Sequence, residues 1–137
     1  MTALRQIVVF LIISSALGFL TYLIHPDAPN WESAGEWEIS VSDALASDIA
    51  VIWLDARSEH DYGLGHIPGA ISLNEDNWDD NFEGFLDRWN PELRVVVYCD
   101  SAACGKSENI ARDLREAYGI AESYVLKGGW DSWLRNH

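Results

Sequence analysis

The sequence predicts an α/β domain built on a parallel sheet and preceded by one transmembrane helix. Short apolar runs alternate with amphipathic helical patterns in residues 38–137, an order typical of a parallel sheet with helices on both faces. A longer uncharged segment precedes them. We therefore divide the chain into an N-terminal flank at 1–6, a transmembrane helix at 7–24, a linker at 25–37 and one domain at 38–137.

The segment from Ile7 to Ile24 holds 18 consecutive residues without a charge. A helix of this length covers about 27 Å, close to the roughly 30 Å hydrocarbon layer of a bilayer. A cleaved signal peptide is the main alternative, since Ala16-Leu17-Gly18 offers small residues at the spacing of a cleavage site. Largely apolar residues follow those three, which favours an uncleaved anchor.

The residues on either side of this segment predict its orientation. Arg5 and the amino terminus precede the span, whereas no Lys or Arg follows it until Arg57. The positive-inside rule then places the amino terminus in the cytoplasm and the domain on the periplasmic or extracytoplasmic side. Pro26 and Pro29 lie in the segment that follows the span, as expected of an exposed linker.

The composition allows one folded domain and argues against two classes of partner. Hydrophobic residues make up 48% of the 137 residues, and 22 acidic residues against 9 basic ones give a formal net charge of −13. Nucleic acids and anionic membrane surfaces need a basic face, so neither is expected to bind this domain. Two cysteines are too few for a disulfide scaffold or a four-cysteine zinc site.

Three short apolar runs predict buried strands. They are Ala50–Leu54, the strongly β-branched Arg94–Tyr98, and Ser123–Leu126. In parallel sheets of this kind, ligands bind beyond the carboxyl ends of the strands. Cys99 directly follows the second run and is therefore the first candidate for a functional residue.

Three helical patterns lie between and beside these runs. A short one covers Asp43–Ser47 with Ser42 as its expected N-cap, and Ser58 begins a capping box that predicts another. The clearest pattern covers about Lys106–Tyr118 and ends at Gly119. Its expected buried face comprises Ile110, Ala111, Leu114, Ala117 and Tyr118.

The loop after Cys99 has the composition of an anion cradle. Small residues let backbone N–H groups turn inward, and the start of the next helix adds unpaired N–H groups and the positive end of its dipole. A thiolate is stabilised there and is available as a nucleophile near neutral pH. An inert buried cysteine is the alternative. The candidate binding residues are Asp100, Ser101, Ala102, Ala103, Gly105, Lys106 and Ser107.

Separated motifs in the chain resemble the signatures of rhodanese-like domains. Leu54-Asp55-Ala56-Arg57 and then Gly65-His66-Ile67-Pro68-Gly69-Ala70 resemble the family's Asp-x-Arg and GHIPGA signature, and Leu126-Lys127-Gly128-Gly129-Trp130 resembles its late glycine motif. The resemblance covers about residues 38–134. It implies a central parallel sheet of about five strands and sulfurtransferase chemistry at the cysteine that ends the fourth strand, which is Cys99.

The reaction that the resemblance implies is transfer of sulfane sulfur. The Cys99 thiolate takes the outer sulfur of a donor such as thiosulfate, and loop N–H groups hold the resulting persulfide. A thiol acceptor then removes the terminal sulfur. No metal or organic cofactor is implied, and the partners are the small sulfur donor, the thiol acceptor and the membrane, with no protein partner identified.

The loop departs from the common form of the family. The stretch from Asp100 to Lys106 separates Cys99 from Ser107 and contains no arginine, so it is expected to attract thiosulfate less well than a basic loop would. The alternative function is therefore a non-catalytic module that binds a partner or senses thiol redox state. A phosphatase is disfavoured, because Gly105 stands where the phosphate-binding arginine would be needed.

Cys104 follows Cys99 by five positions and has three possible roles. It could resolve a persulfide or sulfenic acid on Cys99 by forming an internal disulfide. It could be the nucleophile itself, since it lies nearer the start of the helix. It could also be half of a structural disulfide in an oxidising compartment.

Several other residues of the motifs are expected to have structural roles. Asp55 and Arg57 are predicted to form a buried polar network. His66 is predicted to lie in a turn rather than to bind a metal. Gly128 and Gly129 are predicted to allow a close backbone approach before the last helix.

Overall fold

A five-stranded parallel sheet forms the centre of the structure, a computed structural model that describes residues 5–6, 35, 37–46, 48–101 and 104–137. The strands are β1 (Glu38–Ile39), β2 (Val51–Asp55), β3 (Ile71–Ser72), β4 (Arg94–Tyr98) and β5 (Ser123–Leu126), in the spatial order β1-β5-β4-β2-β3. The helices are α1 (Val41–Ala46), α2 (Glu59–Leu64), α3 (Trp78–Leu86), α4 (Gly105–Glu116) and α5 (Gly129–Asn136). The predicted α/β class and the parallel sheet of about five strands are confirmed.

The predicted transmembrane helix at 7–24 and nearly all of the predicted linker at 25–37 lie outside the described residues. In the part of the chain that the structure describes, no helix has the length and apolar character needed to cross a bilayer. The residues from Gly35 to His137 form one structural unit.

β4 lies at the middle of the sheet, and both of its faces are covered. Val95 and Val97 belong to one hydrophobic cluster, whereas Val96 and Tyr98 belong to the other, and all four are fully buried. Its neighbours are β2 and β5, and the pairing with β2 places Leu54 beside Val97. A continuous apolar run is the pattern that such a doubly covered strand produces.

Helices cover both faces of the sheet, as predicted. On one face, α3 and α4 pack through side chains that include Phe85 and Leu114. On the other face, α1 packs through Val41 and Ala44, and α5 packs through the partly buried Trp133. The carboxyl ends of all five parallel strands meet at one edge between these layers.

The first two helices begin at serine caps, although one differs from the prediction. Ser58 caps α2 as expected, since its Oγ accepts a hydrogen bond from the Asp61 N–H at 3.2 Å. Ser40, and not Ser42, caps α1, because the Asp43 N–H donates to its Oγ at 3.1 Å. α1 therefore begins two residues before the predicted start.

The buried face of α4 is shorter than predicted. Ala117 and Tyr118, which were expected to continue that face, are exposed because α4 ends before them. Gly119 then adopts a φ of 70° and turns the chain. The Ile120 N–H consequently reaches the Leu114 carbonyl at 2.8 Å, and the Ile120 side chain enters the core in their place.

Candidate functional site

Cys99 directly follows β4 at the carboxyl edge of the sheet, as predicted from the sequence. The residue is 2% exposed. Its carbonyl oxygen accepts a hydrogen bond from the Trp130 N–H, in the first turn of α5, at 2.7 Å. The carbonyl oxygen of Asp100 accepts one from the Asp131 N–H at 3.1 Å. These two bonds tie the beginning of the loop to the beginning of α5.

Gly129 makes this close approach possible. A Cβ atom at this position would lie 2.3 Å from the Cys99 carbonyl oxygen, too close for any side chain. Its φ of 54° also lies in the left-handed region that glycine adopts without strain. The predicted close backbone approach before the last helix is therefore confirmed at Gly129, and the partner is the backbone of Cys99.

A disulfide joins the two cysteines of the chain. Cys104 is the N-cap residue of α4, and its Cα lies 6.1 Å from that of Cys99, within the usual range for a bridged pair. This bond belongs to two of the three roles considered for Cys104, that of a resolving thiol and that of half of a structural disulfide. The structure thus describes an oxidised chain in which neither sulfur is a thiol, and a nucleophilic Cys99 stays a prediction for the reduced chain.

The described residues of the loop before α4 include one N–H group that is already used by the protein itself. Asp100 and Ser101 are exposed, and Ala102 and Ala103 lie outside the described residues. The N–H of Cys104 donates to the Ser101 carbonyl at 3.3 Å. This bond closes a turn that leads the chain into α4, so the Cys104 N–H is not available to an anion.

The first turn of α4 holds the remaining candidate binding residues. Gly105 and Lys106 are exposed, so the Lys106 ammonium group faces solvent. Ser107 is buried, and its Oγ donates to the Cys104 carbonyl at 3.2 Å. The proton of the Ser107 hydroxyl is therefore used within the helix start, while Lys106 carries the positive charge nearest to the disulfide in sequence.

Asp55 and Arg57 form a buried polar network, as predicted, at the carboxyl ends of β2 and β4. The Arg57 Nε donates to both carboxylate oxygens of Asp55, at 3.0 and 3.2 Å, and its Nη2 donates to Asp55 Oδ2 at 2.7 Å and to the Gly65 carbonyl at 2.6 Å. The Tyr98 hydroxyl donates to Asp55 Oδ2 at 2.7 Å and accepts a hydrogen bond from the Ile67 N–H at 3.1 Å. The network joins the ends of β2 and β4.

The two proton donors of this network keep their protons. Burial, with the hydrogen bond to Asp55, raises the pKa of Tyr98 far above its ordinary value. Burial acts to lower the pKa of Arg57, but its hydrogen bond to Asp55 and the negative charge of Asp55 outweigh burial and raise it. The charge of Asp100, the first residue of the loop after Cys99, adds to this rise in the pKa of Arg57.

Trp130 connects the network to the cysteine. The Arg57 guanidinium carbon lies 4.6 Å from the centroid of the Trp130 ring and 5.6 Å from that of Tyr98, both within the range of a cation–π contact. The backbone N–H of the same tryptophan holds the Cys99 carbonyl. The sequence did not predict this double role of Trp130, for which only the preceding pair of glycines gave a signal.

His66 has contacts that account for it structurally. Its ring stacks on Tyr62, with centroids 3.9 Å apart, and its Nδ1 lies 3.0 Å from the Tyr62 carbonyl. Within the described ranges, no three of the His, Cys, Asp and Glu side chains are grouped as they would be to hold a metal ion.

Comparison with known proteins identifies the family. The rhodanese-like domain family matches residues 40–136. The chain belongs to this family. The thiosulfate sulfurtransferase GlpE of Shewanella oneidensis is 31% identical over 80 residues, which are 58% of this chain and 72% of that enzyme. GlpE of Actinobacillus pleuropneumoniae is 33% identical over 82 residues, which are 60% of this chain and 69% of that enzyme.

Other proteins that this rhodanese-like domain resembles include a longer protein and two solved structures. A tRNA uridine(34) hydroxylase of Bartonella bacilliformis is 30% identical over 92 residues, but the match spans only 28% of that protein. The structure of the BH2092 protein of Bacillus halodurans superposes with a TM-score of 0.59 at 27% identity, covering 73% of this chain and 72% of that one. A rhodanese-related protein of Thermoplasma volcanium, with a TM-score of 0.52 at 16% identity over 72% of this chain and 91% of that one, shares the fold.

Proposed function

We propose that this rhodanese-like domain is a membrane-anchored sulfurtransferase that carries sulfane sulfur as a persulfide on Cys99. The observation that carries the proposal is the position of Cys99, directly after the central strand β4 and beside the start of α4. The similarity to thiosulfate sulfurtransferases supports thiosulfate, or a donor with the same outer sulfur, as the substrate class. The acceptor is a cellular thiol.

The proposed reaction has two steps. In the reduced chain, the Cys99 thiolate attacks the outer sulfur of thiosulfate, a new S–S bond forms, and sulfite leaves with the electron pair of the old one. An acceptor thiolate then attacks the outer sulfur of the persulfide and regenerates the Cys99 thiolate. The positive end of α4 and the ammonium group of Lys106 favour the negative charge on sulfur in both steps.

A steady-state assay with thiosulfate and cyanide on the reduced, full-length chain tests the proposal. We expect Cys99→Ser to reduce the sulfurtransferase rate to background. Glu108→Gln, a change at an exposed position on α4, should keep the wild-type rate. The intact mass after treatment with thiosulfate should rise by one sulfur atom in Cys104→Ser, which cannot form the internal disulfide, and not in Cys99→Ser. Equal rates in the wild type and in Cys99→Ser would show that Cys99 is not the nucleophile.

A thiol redox module is the second candidate function, and the disulfide between Cys99 and Cys104 favours it. The exposed Asp100 in an arginine-free loop is also less suited to an anionic donor than a basic loop would be. This function requires that the disulfide opens and closes reversibly while the reduced chain gains no sulfur from any donor. The same mass measurement therefore separates the two candidates.

We further propose that residues 7–24 anchor the chain in a membrane, with the amino terminus in the cytoplasm and the domain on the periplasmic or extracytoplasmic side. The uncharged segment and Arg5 before it support this orientation. A disulfide also suits an oxidising compartment. Membrane vesicles of known sidedness, reduced and then treated with an impermeant maleimide, provide the test. Labelling of the cysteines only from the cytoplasmic side would contradict the orientation.

A further inference from the structure

We infer that Cys104 discharges the Cys99 persulfide within the domain, which releases hydrosulfide and leaves the disulfide that the structure contains. The inference rests on the proposed function, because it requires a persulfide on Cys99. It adds a product class, since sulfur leaves as hydrosulfide and not only on a thiol acceptor. It also assigns Cys104 to one of the roles that the sequence left open.

The backbone holds the two sulfur atoms within reach of each other. Cys99 is fixed by β4 on one side and by the hydrogen bond from the Trp130 N–H on the other. Cys104 is fixed at the start of α4, where its N–H donates to Ser101. Because these elements set the Cα separation of 6.1 Å, neither cysteine has to move far for the sulfur atoms to meet again after reduction.

The two cysteines lie in different environments that suit different steps. In the disulfide form Cys99 is 2% exposed, so an external thiol has less access to its sulfur than Cys104, which lies within bonding distance of it. Cys104 is only partly buried and occupies the N-cap of a helix, where unpaired N–H groups and the helix dipole stabilise a thiolate. An internal thiolate therefore reaches the persulfide more readily than an external one does.

The step balances without a further reactant. The Cys104 thiolate attacks the inner sulfur, which is Cys99 Sγ, and the bond between the two Sγ atoms forms as the bond to the outer sulfur breaks. The outer sulfur keeps its proton, takes the electron pair and leaves as hydrosulfide. The sulfane sulfur is reduced, and the cysteine pair is oxidised to the disulfide. An external dithiol then reduces this disulfide through a mixed disulfide and is itself oxidised.

A single-turnover experiment on the full-length chain tests the inference. The reduced protein is loaded with thiosulfate and freed of donor and reductant by rapid gel filtration, and then free sulfide and intact mass are followed in time. The wild type should release one hydrosulfide per persulfide and end with the mass of the disulfide form. Cys104→Ser should keep the added sulfur and release sulfide at least tenfold more slowly, whereas Glu108→Gln on the same helix should match the wild type.

The possible outcomes separate this inference from the proposed function. If the wild type keeps its persulfide as long as Cys104→Ser does, internal discharge is wrong and sulfur transfer by Cys99 still stands. An extra sulfur mapped to Cys104 by peptide analysis would also overturn the inference, because Cys104 would then attack the outer sulfur. If Cys104→Ser and Cys104→Ala both fold, as judged by circular dichroism, yet neither gains sulfur on Cys99, the proposed function fails and the inference fails with it.

Discussion

Replacing Gly129 with alanine tests how strongly the start of α5 is held against Cys99. The new Cβ would lie 2.3 Å from the Cys99 carbonyl oxygen and 3.1 Å from the Asp100 carbonyl carbon, and these backbone atoms cannot rotate away. The left-handed φ adds about 1–2 kcal/mol of strain, and forced displacement of packed backbone adds about 1–3 kcal/mol. Loss of the hydrogen bond from the Trp130 N–H costs about 1–3 kcal/mol more. Together these contributions lower the free energy of unfolding by about 3–8 kcal/mol.

Gly119→Ala is the matched control. Gly119 has a φ of 70°, and no described atom lies within 4 Å of the Cβ that alanine would add, so this variant carries the backbone strain alone. It should lose about 1–2 kcal/mol. Urea unfolding of the full-length chain in mild detergent, followed by tryptophan fluorescence, measures both losses. Equal losses in the two variants would show that the contact between Gly129 and the Cys99 backbone does not carry the energy assigned to it.

Three further substitutions test the buried network and the core. Because burial and Asp55 raise the pKa of Tyr98 above 10.0, the unfolded chain loses this proton first, and stability falls above about pH 10 by up to about 1.4 kcal/mol per pH unit. Urea titrations of Tyr98→Phe should show a slope shallower by that amount, and an unchanged slope would contradict the assignment. Arg57→Lys cannot keep the paired contacts to Asp55, so it should lose about 2–4 kcal/mol in the same assay, and an unchanged midpoint would refute this. Phe85→Ala empties a fully buried site and should cost about 3–5 kcal/mol, whereas a loss below about 1 kcal/mol would mean that the site collapses around the change.

The central strand was predictable from sequence and the edge strands were not. β4 has the predicted bounds because a strand buried on both faces is a continuous apolar run. β2 lies one residue further along the chain than predicted, from Val51 to Asp55 and not from Ala50 to Leu54, and its last residue pairs with Tyr98 at the end of β4. β1 and β3 have two residues each, which is too short for any periodicity to show. Their positions come from pairing, with Glu38 beside Val125 and Ile71 beside Leu54.

α3 was missed although its sequence carries a helical signal. Trp78, Phe82 and Phe85 recur at the spacing of one helix face, and their rings pack in succession, with centroids 4.7 and 5.8 Å apart. The acidic residues and Gly84 between them reduce the contrast between this face and a polar loop. Only the tertiary position of Phe85, fully buried against the sheet, shows why the segment is a helix.

The place of the candidate site was predictable, but its contacts were not. The carboxyl end of a buried strand identifies Cys99 from local sequence. The disulfide depends instead on how closely the start of α4 returns to the end of β4, which the loop composition does not determine. The hydrogen bond between Tyr98 and Asp55 joins residues 43 positions apart, and no local pattern signals it.

The protonation of Arg57 and Tyr98 affects how the pH dependence of a reaction at Cys99 would be interpreted. Arg57 and Tyr98 both release their protons at higher pH than the free side chains do. Neither group therefore changes charge between neutral pH and about pH 10. A rate profile recorded over that interval would therefore contain no contribution from the ionisation of either of these two side chains.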